Sequence, residues 1–127
     1  LIILNKKILG GLIMKLALLN TSIITNEGTF EIHDVSLDEA RKLAQENYKN
    51  NNIFSAVGHA STAQLMTTLL DIEVPIPDPN NRPELKQELN QKALVFKLNG
   101  RAPEGVILSV EEIEAIGYKF QLLTKIK

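Results

Sequence analysis

Two periods of apolar residues run along this chain, and they divide it into strands and helices. Lys15 to Asn20 is apolar enough for a first strand, which passes into a loop at Asn20-Thr21-Ser22. Asn26-Glu27-Gly28 signals a turn. From Thr29 to Val35, Phe30 and Ile32 alternate with polar neighbours, the period of a strand with one covered face. Ser36-Leu37-Asp38-Glu39 then has the form of a capping box. The helix it opens sets Ala40, Leu43, Ala44 and Tyr48 on one face, and Asn50-Asn51-Asn52 ends it. A short apolar run at 53–57 predicts a strand. Past Gly58-His59, a second helix from Ala63 to about Leu70 stacks Leu65 on Leu69 and Met66 on Leu70.

Proline interrupts this order. Pro75, Pro77, Pro79 and Pro83 exclude regular structure and predict a surface loop that carries Arg82. Beyond it the pattern predicts a strand at Leu85–Leu89 and a firmer one at Lys92–Leu98, where Leu94, Phe96 and Leu98 alternate. Asn99-Gly100 is a turn. Ser109-Val110-Glu111-Glu112 repeats the capping-box form and opens a short helix ending at Gly117. A last strand runs from Tyr118 to Ile126. The expected fold is α/β or α+β: a mixed sheet flanked by about three helices, in a single domain.

Composition narrows the chemistry. With 127 residues the chain suits one modest core. It has no cysteine, which excludes disulfides and thiolate metal sites, and its two histidines are too few for a histidine-rich metal centre. Net charge is −1, with no basic tail or stripe, which argues against binding along duplex nucleic acid. A small anionic ligand needs only a few well-placed cations and stays open. Residues 1–13 are too short and too polar to span a membrane, and their lysines follow the first apolar run, unlike a signal peptide. Gly10-Gly11 can be encoded by a ribosome-binding sequence just upstream of Met14. The expectation is an upstream extension over 1–13 and a functional domain over 14–127.

Three places can carry chemistry. In Val57-Gly58-His59-Ala60-Ser61-Thr62, an imidazole stands on a glycine turn beside a helix N-terminus. Imidazoles exchange protons near neutral pH, Ser61 can act as N-cap, and free N–H groups at a helix start can hold a phosphate. A turn histidine that only satisfies hydrogen bonds is the plainer alternative. In Arg101-Ala102-Pro103-Glu104-Gly105 a constrained loop holds a guanidinium, suited to a phosphate, near a carboxylate that can orient it or handle a proton. The plainer alternative is a surface hairpin with a weak ion pair. Arg82 could reach over a ligand or stand in solvent. Asn20, Thr21 and Ser22 follow a strand, a frequent ligand position in α/β sheets and also an ordinary turn. His33 reads as structural or exposed, and Asp38, Glu39 and Glu46 as a solvated helix face.

In order and spacing, Leu18-Leu19-Asn20-Thr21-Ser22, Val57-Gly58-His59-Ala60-Ser61-Thr62, Asn81-Arg82 and Arg101-Ala102-Pro103-Glu104-Gly105 together resemble the small viral and mobile-element ring nucleases that act as type III anti-CRISPR proteins. The resemblance covers Met14 to Lys127, and the proline-rich 75–83 loop departs from the viral members. It implies a homodimer that binds cyclic tetra-adenylate across its two-fold axis and cleaves it without metal or other cofactor. It casts His59, Arg101 and Glu104 as catalytic. Asn20, Thr21, Ser22, Gly58, Ser61, Thr62 and Arg82 become substrate-binding. The expected setting is cytoplasmic, the host's cytoplasm for a viral protein, with no membrane and no duplex partner. Two other classes remain: a cyclic-oligoadenylate sponge or sensor, and a mobile-element regulator acting through protein contacts.

Overall fold

Five strands and three helices make up a computed structural model that describes residues 14–76, 78, 80 and 84–127. In chain order they are β1 (Leu16–Leu19), β2 (Phe30–Val35), α1 (Leu37–Lys49), β3 (Ile53–Ser55), α2 (Ala60–Leu70), β4 (Lys92–Leu98), α3 (Val110–Ile116) and β5 (Tyr118–Lys125). They form one mixed sheet in the order β2-β5-β4-β1-β3. β1 lies parallel to both β3 and β4, whereas β5 is antiparallel to β4 and β2. The α+β expectation holds in this five-stranded form. The proposed extension over 1–13 lies outside the described residues.

The larger core lies on one face of the sheet. Leu16, Leu18, Leu94, Phe96 and Phe120 from the strands meet Ala40 and Ala44 of α1, Ala63, Leu65, Met66, Leu69 and Leu70 of α2, and Ile113 of α3. The stacked pairs Leu65/Leu69 and Met66/Leu70 are all buried, as their four-residue spacing requires. Tyr48 instead stays 45% exposed, because it lies in the last turn of α1, beyond the covered stretch. Arg41 Nε donates to the Leu69 carbonyl at 2.6 Å and Gln45 Nε2 to that of Leu70 at 3.0 Å. These bonds satisfy end carbonyls of α2, which otherwise lack partners.

The opposite face holds a smaller cluster of Ala17, Leu19, Leu85, Ala93, Val95 and Leu123. Its cover comes partly from segment 84–91, where the alternation predicts a strand at Leu85–Leu89. No strand forms there. Leu85 and Gln87 are buried in alternation, but side chains and not a neighbouring strand take up the backbone. The Thr25 hydroxyl donates to the Leu85 carbonyl. Asn26 pairs with Gln87 in both directions, Nδ2 donating to its carbonyl at 2.9 Å and Oδ1 accepting from its N–H at 3.3 Å. Gln87 Nε2 donates to the carbonyls of Gln91 and Leu123, each at 2.7 Å. Ile32, which shares this face with Leu123, is 44% exposed because β2 lies at the sheet's edge.

Both capping boxes form as read. Ser36 accepts from the Glu39 N–H and Ser109 from the Glu112 N–H, with each glutamate reaching back to the cap's own N–H. The backbone N–H of Ser109, joined by its hydroxyl, holds the Glu112 carboxyl below the usual carboxylate range. α3 stops at Gly117, whose φ of 93° is left to glycine; a Cβ there would stand 2.7 Å from Asn99 Nδ2.

Candidate functional site

Parallel pairing places the candidate residues together. β1, β3 and β4 run in the same direction side by side, so the loops leaving their carboxyl ends emerge at one edge of the sheet. Those loops carry Asn20-Thr21-Ser22, Gly58-His59 and Arg101 to Glu104 respectively. In open sheets this edge is where ligands bind. Two of the loops are tied directly: the Gly58 N–H donates to Asn20 Oδ1 at 3.3 Å. The Ala56 N–H donates to the Leu18 carbonyl at 2.9 Å, carrying the β1–β3 pairing past the end of β3 and delivering His59 to the start of α2.

That helix begins three residues earlier than its apolar pattern implied. His59, not Ser61, is the N-cap: it is extended (φ −131°, ψ 133°), and its carbonyl accepts the first helical bond, from Ala63. Ser61 therefore lies inside the first turn. The His59 side chain makes no capping bond, and the first turn holds no acidic residue. In this α2 differs from α1 and α3, which both carry full capping boxes and acidic first turns. The N–H groups of Ala60, Ser61 and Thr62 thus precede the first intrahelical bond with no side-chain cap, at the positive end of the helix dipole.

A cavity of about 440 Å³ opens beside this turn. Its α2 wall is His59, Ala60, Ser61 and Gln64, and its other wall is the loop Pro103-Glu104-Gly105-Val106-Ile107. The structure thereby brings His59, Ser61 and Glu104 to one space from sequence positions far apart. Arg101 is exposed at the start of the same loop and is not among the lining residues. Among the described residues Lys119 pairs with Asp34 at 3.7 Å and the His33 imidazole lies 3.9 Å from Glu31, so the weak Arg101–Glu104 ion pair of the plainer alternative does not form. Asn20, Thr21 and Ser22 are half-buried beside the tied turn. Arg82 lies outside the described residues. His33 is exposed on the edge strand, as read. Among the described residues no three His, Asp or Glu side chains converge in a way that could hold a metal ion, and no helix is long and apolar enough to cross a membrane.

Sequence reading missed Gln64, Val106 and Ile107. Gln64 follows Ser61 by one helical turn, so the corrected start of α2 identifies it; Val106 and Ile107 carry no local signal, because isolated apolar residues in loops are common.

A family profile described as STIV B116-like matches residues 16–120. The chain is 33% identical over 113 residues to protein YddF of Bacillus subtilis (strain 168), covering 89% of this chain and 99% of that one. It is 34% identical over 116 residues to ORF117 of Acidianus two-tailed virus, covering 88% and 94%. Protein 26 of Sulfolobus islandicus filamentous virus (isolate Iceland/Hveragerdi) is 37% identical over 90 residues, covering 70% of each chain. Among solved structures, B116 of Sulfolobus turreted icosahedral virus superposes with a TM-score of 0.74 at 23% identity, covering 87% of this chain and 98% of that one, a likeness of fold.

Proposed function

The chain belongs to the STIV B116-like family, and on that premise we propose that it is a metal-independent ring nuclease that cleaves cyclic tetra-adenylate. The observation that carries the reading is the uncapped first turn of α2, which faces a cavity shared with Glu104. An uncapped, acid-free turn suits a phosphate oxygen. An exposed imidazole at the same point suits proton transfer to an oxygen on that phosphate.

In the proposed reaction a ribose 2′-oxygen attacks the adjacent phosphorus. The 2′-oxygen–phosphorus bond forms, the bond to the 5′-oxygen breaks, and a 2′,3′-cyclic phosphate remains. The nucleophile belongs to the substrate, so the protein's work is alignment and charge. His59 donates a proton to the departing 5′-oxygen, a role worth about 10²–10⁴-fold in rate. Glu104, across the cavity, takes up the 2′-hydroxyl proton or orients the groups that do. Arg101, exposed and without an ion pair among the described residues, approaches the phosphate as charge builds on it. The N–H groups of Ser61 and Thr62 hold the phosphate, Gly58 lets it approach the turn closely, and Asn20, Thr21 and Ser22 contact the ribose. The family resemblance adds Arg82 to the substrate-binding residues.

Size supports a second copy of the chain. A cavity of about 440 Å³ suits a single nucleotide, and a ring of four nucleotides requires more. A homodimer doubles the site around a two-fold axis and so supplies enough cations from a nearly neutral chain. In this reading the protein acts in the cytoplasm and silences type III CRISPR signalling.

The test is incubation with cyclic tetra-adenylate in excess chelator, followed by chromatography of the products. Linear di-adenylate ending in a cyclic phosphate is expected, and His59→Ala should lose cleavage and keep binding. Cleavage that needs added metal, or that survives His59→Ala, refutes the mechanism. Binding without turnover would identify a sponge instead.

A further inference from the structure

The lining of the α2 cavity is more specific than phosphate binding requires. Gln64 stands one turn beyond Ser61, half-buried, and its side-chain amide has no hydrogen-bond partner among the described residues. Opposite it the loop turns two β-branched side chains outward, Val106 at 54% and Ile107 at 73% exposure. Large apolar groups on a cavity rim lose unfavourable contact with water when a flat apolar surface covers them. An amide with both a donor and an acceptor free suits a ligand edge that offers both.

We infer that Gln64, Val106 and Ile107 form a nucleobase subsite that selects adenine over guanine, with Gln64 as the specificity-determining residue. The inference rests on the nucleotide reading of the cavity and deepens it. The base lies against Val106 and Ile107, and its edge faces the Gln64 amide. Adenine presents a donor (N6–H₂) beside an acceptor (N7), which a glutamine amide can pair with in full. Guanine presents two acceptors there, O6 and N7, so one contact is lost and the amide oxygen faces a lone pair. The order of groups along α2 places the subsite beyond the phosphate turn: His59 at the cap, Ser61 in the first turn, Gln64 in the next.

The test uses mononucleotides, so it does not depend on ring cleavage. AMP, GMP and 7-deaza-AMP, which lacks the N7 acceptor, are titrated by calorimetry into the full chain and into Gln64→Leu. The native protein should prefer AMP over both others by about tenfold. Gln64→Leu should level the three affinities, and Gln64→Arg should reverse the preference toward GMP. With cyclic tetra-adenylate, Gln64→Leu should raise KM and leave kcat within about twofold, the mark of lost ground-state binding. Equal affinities in the native protein, a preference that survives Gln64→Leu, or no mononucleotide binding would overturn the inference. So would Ile107→Lys dissociating a dimer without weakening AMP, because a second copy would then cover the rim. AMP preference without ring cleavage would instead overturn the nuclease reading and leave the subsite standing.

Discussion

His59→Ser should make this protein more stable and inactive at once. His59 occupies the N-cap of α2 with an extended backbone and an exposed side chain that caps nothing. Serine at this position can accept from an N–H of the first turn, as Ser36 and Ser109 do in the other two helices. A good N-cap is worth about 0.5–2 kcal/mol, and the substitution removes little packing from an exposed site. We therefore expect a gain of about 1 kcal/mol, seen as a rise of a few degrees in Tm. Urea melts followed by circular dichroism give the stability. Comparing His59→Ser with His59→Ala isolates the cap, since both lose the imidazole. The two variants should differ by about 1 kcal/mol, and neither should cleave cyclic tetra-adenylate. Ser36→Ala and Ser109→Ala calibrate the scale, each costing about as much as the new cap contributes. If His59→Ser is no more stable than His59→Ala, the first turn of α2 is already satisfied, and its openness is not a binding feature. If it falls more than about 1 kcal/mol below the native protein, the imidazole supports the fold itself.

Three further outcomes test the framework around the site. Gln87→Leu should cost about 1–2 kcal/mol in urea melts, because the Gln91 and Leu123 carbonyls lose the side-chain donor that joins them, while Gln91 keeps the Lys125 N–H at 3.3 Å. Met66→Ala, at 0% exposure between α2 and the sheet, should cost about 2–5 kcal/mol by the same measurement, through lost burial and a cavity. Stability should also fall in acid. The folded Glu112 carboxyl is lowered, so its contribution is complete above the ordinary carboxylate range and is lost as pH falls through the folded value. Melts at a series of pH values should show Glu112→Gln flattening that acid limb, and an unchanged limb would remove the capping box as its cause.

Local chemistry was legible in the chain. Ser36 with Glu39 and Ser109 with Glu112 announced two helix starts, because a capping box is closed by residues three apart and needs nothing distant. The strand at Lys92–Leu98 has the bounds its alternation predicts, but as an interior strand it is buried on both faces from Ala93 to Phe96. The errors fell where distant partners decide. The 84–91 segment alternates like a strand, but Thr25 and Asn26 bind it from about sixty positions away. α2 began early because its first turn lies in the site, where Ala60 is exposed and no apolar stripe marks the helix.

Short-range patterning along the chain was enough for the alternating strands, the two capped helices and an inventory of groups able to meet a phosphate. Those properties depend on neighbours within one turn or one pleat. Tertiary structure alone decided that the loops after β1, β3 and β4 share an edge, because strand direction and order come from pairing between remote segments. It also decided that His59 and Glu104 line one cavity while Arg101 stands outside its lining, and that Gln64 shares that cavity with Val106 and Ile107. Only the packed sheet brings α2 and the loop after β4 together, and that meeting turns scattered residues into the lining of one cavity.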